Sequence, residues 1–93
     1  MSDTKYSISY LISIIRLLRS DKGCPWDQVQ TTESIKMCII EEAYEALNAI
    51  NSKNIDNFKE ELGDLLLQII FHSEIYNEKK QFTFWWNTTG ILG

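Results

Sequence analysis

Apolar residues recur along most of this chain with the period of roughly 3.6 that marks helices packed on one side. Ile8, Leu11, Ile12, Ile15 and Leu18 form the first such stripe, and with Ser7 as N-cap and Gly23 as a stop it predicts a helix over about 7 to 20. Residues 21 to 31 hold the only proline, in the run GCPWD. Pro25 biases Cys24 toward extended backbone, so this segment reads as a loop carrying Trp26. A second helix is expected from Thr32, its N-cap, to about Asn51. Glu33 complements the dipole of that helix, and its core stripe is Ile35, Ile39, Ala43, Ala46 and Ile50. The polar stretch Ser52 to Asp56 leads to a third helix, about Asn57 to Lys79, with the stripe Phe58, Leu62, Leu65, Ile69 and Tyr76. The expected fold is all-α, an antiparallel bundle of about three main helices completed by oligomerisation. Residues 1–82 form the domain and residues 83–93 an aromatic tail.

The last two helices each carry a pair of acids three positions apart, Glu42 with Glu45 and Glu61 with Asp64. Positions three apart point nearly the same way on a helix. Counting around the axis from Ile39, Glu42 lies roughly 60° and Glu45 roughly 120° to one side, with Glu41 on the far face. From Leu65, Glu61 lies roughly 40° and Asp64 roughly 100° to one side, with Gln68 between them. A run of charge is usually a solvated face. These pairs differ in bordering an apolar stripe, where solvation is incomplete and like charges repel, and no lysine or arginine sits inside either motif, although Lys59 is close. A short connection makes the two helices antiparallel neighbours, so four carboxylates converge. Oxygen ligands of this kind suit a hard divalent cation, and Mg²⁺ is the expected cofactor.

Composition narrows the surroundings. Ninety-three residues make one small domain with a thin core, which a second copy would help to cover. With 44% hydrophobic and 24% charged residues the chain is too apolar to be disordered. A formal net charge of −4 leaves no basic stripe for nucleic acid, so phosphates would have to be met through bound metal. Cys24 and Cys38 belong to no metal-binding or redox motif and read as reduced thiols. The apolar stretch from Ile8 to Leu18 is broken by Ser9, Ser13 and Arg16 and is too short to span a bilayer, so a cytoplasmic protein without a membrane partner is expected. On composition alone Trp26 reads as a hydrophobic plug, its alternative being a stacking face for a base. His72, on the apolar side of its helix, reads as a hydrogen-bonded core histidine rather than a ligand, since Mg²⁺ prefers oxygen.

Taken in order, GCPWDQVQTTESI at 23 to 35, EEAYEALNAI at 41 to 50 and EELGDLLLQIIFHSEI at 60 to 75, followed by Phe82, resemble the MazG-type nucleoside triphosphate pyrophosphohydrolases. The resemblance covers most of residues 10 to 82. It implies an all-α enzyme, usually dimeric or larger, that uses Mg²⁺ to split a nucleoside triphosphate into a monophosphate and pyrophosphate. By motif position it implies Glu42, Glu45, Glu61 and Asp64 as metal ligands, Glu41 as a catalytic carboxylate that orients water, and Trp26 and Asp27 as substrate-binding residues. Related phosphoribosyl-ATP and pyrimidine-specific pyrophosphohydrolases are the near alternatives, and the GCPWD loop favours the MazG type. After Phe82 the sequence departs from the family pattern. It reads TFWWNTTGILG where an acidic stretch, a further helix and a basic, histidine-containing tail are expected, as in a truncated or frame-shifted terminus or a shortened natural variant. A different class of reading is therefore an inactive remnant that acts only through helix pairing.

Overall fold

A computed structural model describes residues 7–81. Among these the chain is entirely helical in its regular structure, with four helices: α1 Ile8–Arg19, α2 Pro25–Val29, α3 Thr32–Asn51 and α4 Ile55–Glu78. The all-α expectation holds. Phe82 and the aromatic tail lie outside the described residues. No described helix is long and apolar enough to cross a membrane. The described residues divide into two compact units, one of residues 7–30 and 73–81 and the other of residues 31–72, with α4 contributing to both.

In the first unit, α1 starts where the Ser7 hydroxyl accepts the Tyr10 N–H at 3.0 Å. It buries Ile12 and Ile15 and ends with Arg16 and Arg19 in its last turn, where positive charge suits the dipole. Its C-cap is Ser20, three residues before the glycine expected to stop it. Gly23 does a different job. A Cβ there would meet the Leu17 and Leu18 carbonyl oxygens at 2.2 Å, so only glycine lets the chain fold this closely over the end of α1. Cys24 N–H then donates to Leu18 O at 2.9 Å.

The segment expected as a loop forms the one-turn helix α2. Cys24 is extended, as the following proline demands, but Pro25 itself stands at the first helical position, where its fixed φ is already helical and its missing N–H costs nothing. Trp26 on this helix is 60% exposed and is not a plug in the chain's core.

In the second unit, α3 begins one residue earlier than expected in capping terms. Thr31, not Thr32, is the N-cap, and it exchanges hydrogen bonds with Ser34 in a reciprocal box, with Glu33 in the first turn as anticipated. The turn is only Ser52 to Asn54, with Lys53 at φ 59. Asn54 caps α4 by accepting the Asn57 N–H at 3.0 Å, so α4 starts two residues earlier than its apolar pattern suggested. At the opposite end Thr32 Oγ1 lies 3.3 Å from His72 Nδ1, which makes the pair an antiparallel hairpin.

The packed lines of this hairpin are rotated from the expected stripes. On α3 the buried residues are Ile35, Ala46 and Ala49, whereas Ala43 and Ile50 are exposed and Ile39 is 40% exposed. Measured around the axis, the buried line is centred roughly 50° from the expected one and passes through Glu42. On α4, Leu62 and Ile69 are exposed while Glu61, Asp64, Leu65, Gln68 and His72 are half-buried. Apolar residues surround α3 on nearly every side, so periodicity alone could not select the inner one. Met37, Ile40, Tyr44 and Leu47 form a second apolar stripe on α3, and all four are exposed.

Candidate metal centre

The hairpin's symmetry sets the height of the acidic residues. Glu45 lies six residues before the end of α3 and Glu61 six residues after the start of α4. At about 1.5 Å per residue both stand about 9 Å from the turn, and antiparallel packing brings them level. Because the packed line of α3 runs through Glu42, that side chain points inward as well. Carboxylate oxygens of Glu42, Glu45 and Glu61 all lie within 4.8 Å of one another. Asp64 stands beside this trio, close enough for its charge to act on both Glu42 and Glu61.

The electrostatics follow from that proximity. Burial first, then the charges of Glu45, Asp64 and Glu61, push the Glu42 carboxyl up to about 7. Glu61 is raised as well, by burial and then by Glu45 and Asp64. Glu42 Oε2 is buried without a hydrogen-bond partner. An acidic trio in which Glu42 and Glu61 resist ionisation, with an unsatisfied buried oxygen on Glu42, has the chemistry of a site for a hard divalent cation, with oxygen donors only and an excess of negative charge.

Farther along α4, one and two turns beyond Asp64, come Gln68 and His72. Gln68 Oε1 and His72 Nε2 are also buried without partners. The Thr32 contact holds the imidazole, and burial lowers its pKa, so His72 stays neutral to lower pH than a free histidine. This is the hydrogen-bonded histidine that the sequence suggested.

Three of the four expected ligands thus converge and the fourth adjoins them. Glu41 is exposed and stands outside the converging trio. Trp26 and Asp27 lie on α2 in the first unit, Trp26 exposed and Asp27 half-buried.

Comparison with known proteins identifies the family. The chain is 55% identical over 73 residues to the nucleoside triphosphate pyrophosphohydrolase/pyrophosphatase MazG of Thermotoga maritima, covering 78% of this chain and 29% of that protein. It is 41% identical over 78 residues to the nucleoside triphosphate pyrophosphohydrolase of Escherichia coli, covering 83% and 30% respectively. An uncharacterized Bacillus subtilis protein, YabN, is 47% identical over 78 residues, covering 84% of this chain and 16% of that one. The chain spans less than a third of the length of these relatives. Residues 30–89 match the MazG nucleotide pyrophosphohydrolase domain, a span that holds α3, α4 and every member of the acidic cluster, and the chain belongs to that family.

Proposed function

We propose that this chain hydrolyses nucleoside triphosphates to the monophosphate and pyrophosphate with the help of Mg²⁺ held by Glu42, Glu45, Glu61 and Asp64. The observation that carries this reading is the convergence of three carboxylates within 4.8 Å on neighbouring helices, in a family whose relatives bear the name nucleoside triphosphate pyrophosphohydrolase. Bound there, a divalent cation would offset the charge of the phosphate chain and ease deprotonation of an attacking water. Glu45 and Glu61, level on facing helices, fix the site's width, and Glu42 supplies its innermost oxygen. Glu41, exposed on the same turn, is the carboxylate assigned to orienting water. Asp27 is assigned to substrate contact, and the exposed Trp26 ring to stacking on the base, which an aromatic face does with little regard to base identity.

The exposed stripe Met37, Ile40, Tyr44 and Leu47 supports a working unit of at least two copies, since a solvent-facing apolar band of this length marks an interaction surface. The two free cysteines accord with a cytoplasmic setting.

The test is direct. Purified protein is incubated with each nucleoside triphosphate and Mg²⁺, and pyrophosphate is measured. Release that falls at least about 100-fold in Glu45→Ala and in Glu61→Ala, while both variants keep their helical content, supports the ligand set, because losing one ligand of a small hard cation misplaces the reacting groups. Parent-like activity in both variants would remove it.

A further inference from the structure

In the first unit one buried arginine holds the short helix α2. Arg19, at the last position of α1, has a side chain only 7% exposed. Its Nε and Nη2 groups donate to the two oxygens of Glu78, at 2.6 and 2.9 Å. Its Nη1 donates to the carbonyl oxygens of Asp27 and Gln30, at 2.7 and 2.8 Å. All three guanidinium nitrogens are engaged. The two carbonyls are those left without helical partners at the C-terminal end of α2, so the arginine acts as that helix's cap from a distant element. A lysine could not do the same, because one ammonium cannot present the planar fork that meets a carboxylate and two carbonyls together.

The N-terminal end of α2 is fixed separately. Gly23 fits against the Leu17 and Leu18 carbonyls where a side chain would collide, and Cys24 N–H bonds Leu18 O. An isolated helix of five residues is unstable in water, and α2 buries none of its own residues. Its placement therefore comes from these two anchors, and what it displays is the exposed Trp26 ring.

We propose that Arg19 is a positioning residue for nucleotide binding: its fork onto Glu78 and the α2 carbonyls sets the orientation of Trp26 for stacking on the base. This rests on the reading of Trp26 as the stacking residue, and the experiment separates the two. Binding of α,β-methylene-ATP in the presence of Mg²⁺, which the protein is not expected to cleave, is measured by calorimetry for the parent, Trp26→Ala, Arg19→Lys, Glu78→Gln and the double variant Arg19→Lys/Trp26→Ala. Loss of the ring weakens binding about tenfold. Arg19→Lys is expected to weaken it about fivefold, Glu78→Gln in the same direction by less, and the double variant no further than Trp26→Ala alone, because both changes remove one interaction. A merely structural arginine would instead give effects that multiply. Parent-like binding by both Arg19→Lys and Glu78→Gln, or full multiplication in the double variant, overturns the role of Arg19 while leaving Trp26 in place. Parent-like binding by Trp26→Ala withdraws the stacking reading and this inference with it. Glu78 is half exposed, so its variant provides a folded sample even if Arg19→Lys folds poorly.

Discussion

Glu42, half-buried with one oxygen fully enclosed, lies on the innermost line of α3, whose buried positions are otherwise Ile35, Ala46 and Ala49. With its carboxyl raised to about 7 by burial and by its acidic neighbours, the folded chain holds a proton there that the unfolded chain has released. The stability tied to that proton is fully present below 4.5, the ordinary value for a glutamate, and is lost as pH rises through about 7. Metal-free protein should therefore show a melting temperature that falls across this range. Glu42→Gln should flatten the decline and raise the metal-free melting temperature at pH 7.5 by a few degrees, since an uncharged amide meets no repulsion. Addition of Mg²⁺ should restore the parent's loss and leave the variant unmoved. Thermal melts from pH 4.5 to 8, with and without the cation, check all three. A melting temperature that rises with pH in the metal-free parent would contradict the placement of Glu42.

At the scale of elements, local chemistry was the legible part. The Ser7 cap, the end of α3 near Asn51 and the helical state of all three long segments could be read from residue types, because caps and periodic stripes act within a few positions. What escaped depended on contacts from farther away. A five-residue helix has no periodicity to detect, and α2 depends on Arg19 and on the close approach at Gly23. The acids were found because their spacing of three is local, but their inward position was underestimated, since α3 has apolar residues on opposite sides and only pairing with α4 selects one. Arg19 left no signal beyond a basic residue near a helix end, which usually means a simple dipole partner. Gly23→Ala tests the α1 to α2 junction. Its new methyl meets backbone oxygens that cannot move without unwinding α1, so a loss of about 1–3 kcal/mol is expected in chemical denaturation, whereas Gly63→Ala on α4, where a Cβ has open space, should be neutral or stabilising.

For the molecule as a whole, the second apolar stripe of α3 is the surface on which the proposed pairing of copies would rest. Met37, Ile40, Tyr44 and Leu47 stand exposed along one side of α3, and Ile39, Leu62 and Ile69 add to the apolar surface of the hairpin. Leu47→Asp is expected to shift the protein to a monomer in light scattering and to lower its melting temperature, while Glu33→Lys, on the exposed first turn, leaves the mass unchanged. An unaltered mass in Leu47→Asp would show that this band is not where copies meet. The acidic trio lies across α3 from the band, so an oligomer joined there leaves the inner carboxylates as they are.

The three-residue turn between α3 and α4 acts as a ruler with its zero in the middle. Lengthening one arm alone would raise one carboxylate above its counterpart and swing it away by roughly 100° per added residue, whereas adding about seven residues to both arms, two full turns each, would return every acid to its partner. The number of residues separating the two acidic motifs can therefore vary in nature or in design, provided that growth is matched on both sides of Lys53.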